Sequence, residues 1–167
     1  MKASKTALIV AGGTGGHIFP GLAVAQELRA QGWQVHWVGA PDGMEARIAQ
    51  EQGLPFEAVH FAGVRGKGWL RWLSFPLQLL GAVRQSWRIA RRLRPAVVVG
   101  MGGYITVPMG LAARMAAIPV FLHEQNAIAG LSNRLLSRMA SRVFTAFPNV
   151  LAKGQWVGNP LRSVFTE

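Results

Sequence analysis

The residue types best equipped for chemistry stand in glycine-rich clusters. The first is Gly12-Gly13-Thr14-Gly15-Gly16-His17, directly after the apolar run Ala7–Ala11. Glycines let backbone N–H groups approach a phosphate closely, and a helix starting there adds its positive end. His17, where the turn meets that helix, is a candidate base, because imidazole exchanges its proton near neutral pH. Two Gly pairs around a threonine exceed the needs of a tight turn. The pattern is not a dinucleotide fingerprint, since Ile18 stands where a third glycine belongs, nor a P-loop, since no lysine follows.

A second cluster, Gly100-Met101-Gly102-Gly103-Tyr104, follows the β-branched run that ends at Gly100. Alone it is weak. Beside the first it doubles the backbone donors facing one cleft. A third, His123-Glu124-Gln125-Asn126-Ala127-Ile128-Ala129-Gly130, sets four consecutive polar side chains after an apolar strand. A carboxylate and two amides suit sugar hydroxyls or the edge of a base. The plainer alternative is helix capping by Asn126. His36 and His60 fall within strands and read as structural. The only aspartate is Asp42, and no carboxylate or His cluster has metal-ligand spacing, so no metal is expected.

From Val64 to Arg94 basic residues interleave with large apolar ones. Arg65, Lys67 and Arg71 stand among Trp69, Leu70, Trp72, Leu73 and Phe75, and Arg84, Arg88 and Arg91 recur at helical spacing. Basic heads among tryptophan and leucine suit an anionic membrane surface. No nucleic-acid motif is present, so nucleic acid is not expected as a partner. Part of Leu77–Leu93 must be an amphipathic core helix, which leaves the loop Arg65–Phe75 as the main membrane contact.

Elements must position these groups. Strands are expected at Ala7–Ala11, Val35–Gly39, Phe56–Phe61, Ala96–Gly100, Pro119–His123, Arg142–Ala146 and Gln155–Val157. Helices are expected at Leu22–Gln31, Met44–Gln52, Leu77–Leu93, Val107–Ala117 and Leu131–Ala140. This alternation predicts an α/β domain, a Rossmann-like parallel sheet with helices on both faces, whose ligands bind beyond the carboxyl ends of the strands.

The 167 residues suit one domain over 1–167 with one core, and half of them are hydrophobic. The net charge of +11 favours an anionic partner. No cysteine is present, and the apolar run after Lys5 is too short for a signal-peptide core, which points to the cytoplasm. Pro95–Ala113 carries no charge, but its glycines and Pro108 favour strand, turn and buried helix over a membrane span. A nucleotide-dependent oxidoreductase or epimerase is the rival reading. It is weakened because Gly39-Ala40 stands where an acidic residue should end the second strand. A membrane-associated phosphate-binding module is a further alternative.

Five motifs in order, Gly12–Ala23, Gly63–Gly68, Gly100–Tyr104, His123–Gly130 and Gly158–Arg162, resemble the MurG family of N-acetylglucosaminyltransferases, over essentially the whole chain. The resemblance implies the N-terminal, acceptor-side half of a GT-B glycosyltransferase, with no cofactor held by this chain. The implied reaction moves N-acetylglucosamine from UDP-GlcNAc to the C4 hydroxyl of the N-acetylmuramoyl group of lipid I, with inversion, giving lipid II. Thr14, Gly15, Gly16, Asn126 and Arg162 would contribute to the UDP-GlcNAc site. Gly13, His17, Gly102, Gly103, Tyr104, Glu124 and Gln125 would face the acceptor and its diphosphate, with His17 as base. Arg65, Lys67, Trp69, Arg71, Trp72 and Phe75 would form the membrane patch, making the protein peripheral at the cytoplasmic face of the inner membrane.

Overall fold

A computed structural model describes residues 5–62 and 69–161, the side chains of residues 69–72 excepted. Seven strands form one sheet: β1 (Thr6–Ala11), β2 (Gln34–Gly39), β3 (Phe56–Ala58), β4 (Val97–Gly102), β5 (Val120–Glu124), β6 (Arg142–Thr145) and β7 (Gln155–Trp156). The order is β3-β2-β1-β4-β5-β6-β7, and every pairing is parallel. Between the strands run α1 (Gly15–Ala30), α2 (Met44–Glu51), α3 (Trp69–Leu93), α4 (Thr106–Met115) and α5 (Leu131–Ser137).

Strand side chains alternate between faces, and this alternation builds two cores. Leu8, Val10, Val38, Val98 and Leu122 point to the face covered by α3, α4 and α5, where they meet Ala82, Ile89, Met109 and Leu136. Ile9, Ala11, Val35 and Trp37 point the other way, onto Ile18, Leu22 and Ala25 of α1 and Ile48 and Ala49 of α2. Both faces are therefore buried, as a parallel sheet requires.

Several boundaries differ from the sequence expectation. Helix α1 starts at Gly15 rather than Leu22 and runs through Pro20. The Thr14 carbonyl accepts from the His17 and Ile18 N–H groups and locks the first turn inside the glycine cluster. Proline fits helical φ and costs this helix one hydrogen bond rather than its continuity. Helix α3 likewise runs through Pro76 and begins at Trp69, so 69–75 is helix and not loop. Strand β4 extends through Met101 to Gly102, and β3 ends at Ala58. The uncharged run Pro95–Ala113 divides into β4 and most of α4, and no helix among the described residues is long and apolar enough to cross a membrane.

Candidate active site

Strands β1, β4 and β5 are neighbours, so the three motif loops meet at one edge of the sheet. The register of β1 on β4 slips between Val10 and Ala11, so Val10 faces Gly100 and Ala11 faces Gly102. That bulge re-aims the end of β4 toward the first loop. The two glycine loops then interlock. A Cβ on Gly103 would lie 2.3 Å from the Gly12 carbonyl oxygen, and one on Gly102 would lie 2.6 Å from His17 Nδ1. Both glycines have positive φ, +119 at Gly102 and +90 at Gly103, which disfavours any side chain. Their smallness seats His17 and lets the loops touch.

Thr14 is the N-cap of α1 and is exposed; its side chain makes no capping bond. The N–H groups of Gly15 and Gly16 open the helix and have no intrahelical acceptor. Together with the helix dipole they give this end of α1 a positive potential.

The third loop is built from side chains. Glu124 is fully buried (0% exposed). Its Oε1 accepts from the N–H and the Nδ2 of Asn126, each at 3.0 Å, and its Oε2 accepts from the Gly130 N–H at 3.0 Å and from Asn133 Nδ2 at 2.9 Å. Burial pushes this carboxyl up, but the bonds from Asn126, Asn133 and Gly130 outweigh it and hold it below its ordinary value. The expectation that Glu124 faces an acceptor diphosphate therefore fails: its oxygens tie the loop together, away from solvent. Asn126 does not cap α5, whose N-cap is Gly130. It remains exposed at the rim, with its amide anchored to Glu124.

His123 and Gln125 lie two residues apart and on the opposite side of the chain from Glu124. Gln125 Nε2 donates to the His123 carbonyl at 3.0 Å and lies 3.1 Å from His123 Nδ1. His123 Nε2 is 2.9 Å from the Gly158 carbonyl. Gln125 Oε1 is 3.1 Å from His17 Nδ1. Gln125 is buried, so it reaches the cleft only through His17, not as a direct diphosphate ligand. Burial pulls His123 below the ordinary imidazole value, against the upward pull of the Gly158 carbonyl and the Glu124 charge.

Tyr104 ends the second loop and packs its ring at a tilt against Phe61, with centroids 6.0 Å apart. Burial, and secondly the charge of Glu45, raise its pKa, so the hydroxyl remains a donor at neutral pH. Glu45 was not singled out from the sequence. It is buried beneath the first loop, accepts from the Ala40 N–H at 3.0 Å, and fills the space that a Cβ on Gly12, Gly39 or Gly43 would need. An acidic residue thus lies near the end of β2, but it is closed to a ribose hydroxyl, which the dinucleotide site requires. The roles of His123, Asn133 and Gly158 were missed as well. Their signal was the period-two spacing of His123 and Gln125 at the end of an apolar strand.

Arg162, Arg65 and Lys67 lie outside the described residues, as do the side chains of Trp69, Arg71 and Trp72. Phe75 is half-buried and packs on Phe61 with ring centroids 5.9 Å apart, so it serves the core more than a membrane. The exposed apolar row lies further along α3, at Leu73, Leu77, Leu80 and Trp87. Arg84 and Arg88 are exposed beside it. Among the described residues no His, Asp or Glu cluster could hold a metal.

Comparison with known proteins places the chain. The model of the glycosyltransferase family 28 N-terminal domain matches residues 7–145. A curated relative from Acidovorax sp. (strain JS42), named UDP-N-acetylglucosamine–N-acetylmuramyl-(pentapeptide) pyrophosphoryl-undecaprenol N-acetylglucosamine transferase, is 58% identical over 97% of this chain and 41% of its own length. One of the same name from Burkholderia pseudomallei (strain 1710b) is 53% identical over 95% of this chain and 43% of its own. The chain thus spans under half the length of these relatives. The crystal structure of Acinetobacter baumannii MurG superposes with a TM-score of 0.83 at 45% identity, covering 93% of this chain and 46% of that one. A kitacinnamycin glycosyltransferase shares the fold at a TM-score of 0.71 and 14% identity. The chain belongs to the glycosyltransferase family 28 N-terminal domain family.

Proposed function

We propose that this chain is the acceptor-side half of an enzyme that transfers N-acetylglucosamine from UDP-GlcNAc to the C4 hydroxyl of the N-acetylmuramoyl group of lipid I. The observation that carries this reading is the imidazole of His17. It stands where three loops meet, its Nδ1 is held by Gln125, and its Nε2 makes no hydrogen bond among the described residues. The acceptor hydroxyl gives its proton to Nε2 while its oxygen bonds to the anomeric carbon from the face opposite UDP. The bond from that carbon to the diphosphate oxygen breaks, and UDP leaves with the electron pair, giving a β-1,4 linkage. One base and a stabilised leaving group suffice, which suits a cleft with no exposed carboxylate pair among the described residues.

In this reading the Gly15 and Gly16 N–H groups, Thr14 and Asn126 line the side facing the sugar nucleotide, with Arg162. Gly13, Gly102, Gly103 and Tyr104 face the lipid-linked acceptor. The row Leu73, Leu77, Leu80 and Trp87, with Arg84 and Arg88, rests on the anionic cytoplasmic face of the inner membrane and brings the cleft to its substrate. The oxidoreductase or epimerase alternative loses ground because Glu45 is buried.

The test joins this chain to the C-terminal half of the Acidovorax relative and measures transfer to a soluble lipid I analogue. The reading expects a β-1,4 disaccharide product and a turnover about 10²–10⁴-fold lower in His17→Ala. Absence of transfer by a folded chimera contradicts the function. Unchanged turnover in His17→Ala removes His17 as the base and leaves the function standing.

A further inference from the structure

We infer that Gln125 and His123 are positioning residues that fix His17 as its Nδ1–H tautomer, with the Gly158 carbonyl as the fixed end of the chain of bonds. The inference rests on the reading of His17 as base.

Each step follows from what the atoms can do. A backbone carbonyl only accepts, so His123 Nε2, 2.9 Å from the Gly158 oxygen, must carry a hydrogen. In a neutral imidazole that leaves Nδ1 with its lone pair, and burial favours the neutral ring. Nδ1 therefore accepts from Gln125 Nε2 at 3.1 Å, and the same amide nitrogen donates to the His123 carbonyl at 3.0 Å. Both bonds set the amide one way round, with Oε1 toward His17 at 3.1 Å. That oxygen only accepts, so His17 Nδ1 carries the hydrogen and Nε2 keeps the lone pair a base needs. The opposite tautomer would set two lone pairs against each other.

The fixed end lies outside the loops. Gly158 belongs to the segment after β7, at a φ of +83, and the adjacent Asn159 Nδ2 donates to the Gln125 carbonyl at 3.4 Å. Seating of the 158–159 segment therefore sets the orientation of Gln125, and through it the state of His17. A segment drawn away from β5 would release His123 Nε2, remove one of the two bonds that set the amide, and weaken the hold on the His17 tautomer.

The experiment combines nitrogen NMR of ¹⁵N-histidine-labelled chain, at a pH where imidazole is neutral, with turnover of the chimera. In the unsubstituted chain His17 shows the shifts of the Nδ1–H form. In Gln125→Ala it shows a mixture, and kcat falls roughly 10- to 100-fold with the acceptor KM within about threefold. Gln125→Glu keeps an acceptor for Nδ1–H although it loses both donations to His123, so it keeps the Nδ1–H shifts of His17, and it decides the tautomer if the alanine variant does not fold. An Nε2–H form in the unsubstituted chain, or a Gln125→Ala effect on KM alone, overturns the inference. If His17→Ala retains full turnover, the reading of the base fails instead, and the nitrogen shifts still report whether the bond chain exists.

Discussion

The edge of the sheet that carries the site is built in two ways. Beyond β1 and β4 it is backbone: Gly15 and Gly16 open α1 without an intrahelical acceptor, and Gly12, Gly102 and Gly103 let two loops interlock. Beyond β5 it is side chain: His123, Glu124 and Gln125 are buried and hydrogen-bonded to one another's loop, to His17 and to Gly158. The first construction presents the positive end of α1 to the cleft. The second brings Gln125 Oε1 within 3.1 Å of the His17 imidazole. His17 is the joint between them, rooted in the glycine loop and held by the polar one.

The largest effect on stability should come from filling the glycine side. Gly103→Ala adds a Cβ 2.3 Å from a backbone oxygen at a φ of +90. Backbone cannot rotate away as a side chain can, so a loss of about 2–4 kcal/mol is expected in denaturant unfolding. A wild-type midpoint would show that the loops are not interlocked.

Next comes the polar side. Glu124→Gln replaces a four-bond carboxylate by an amide that cannot accept at both positions, at a cost of about 1.5–3 kcal/mol. Binding of pyrophosphate should change little, since Glu124 does not face the cleft. Weaker unfolding resistance together with unchanged anion affinity is the signature, and the reverse pattern would return Glu124 to the cleft.

Acid should act on the same side. Both His123 and Glu124 have folded pKa values below their ordinary 6.5 and 4.5. The unfolded chain therefore binds protons that the folded chain refuses, and stability present above those values is lost as pH falls through the lowered ones. A falling Tm below pH 6.5 that is flattened in His123→Gln would locate the first part of that loss.

The smallest effect on folding should come from α3. Leu77 and Leu80 are 74% and 66% exposed, so Leu77→Ser with Leu80→Ser should leave Tm within a degree or two. It should weaken binding to anionic vesicles at least about tenfold, since a buried leucine contributes roughly 1.5–3 kcal/mol. Equal binding of both proteins would move the membrane contact elsewhere.

Much of this was legible in the sequence, because the apolar runs alternate at two periods and the glycine clusters end them. Strand β1 and helix α2 lie within a residue of their expected bounds. The helix starts were less legible: α1 and α3 were expected from Leu22 and Leu77, but each begins earlier and runs through a proline, Pro20 and Pro76. The chemistry of the polar loop was half visible. Four polar residues in a row announced a site, but not that Glu124 turns inward or that Gln125 meets a histidine 108 residues away. Partners that distant are set by strand order, which places β5 two strands from β1. The burial of Glu45 under three glycines was invisible for the same reason.

The division of the edge into an anion-holding side and a proton-handling side is tested most directly by titrating the ¹⁵N-labelled chain with inorganic pyrophosphate. The account predicts that the backbone amide signals of Gly15 and Gly16 move first and saturate together, while the side-chain amide of Gln125 stays in place. Saturable shifts confined to the arginines of α3, with Gly15 and Gly16 unmoved, would contradict it.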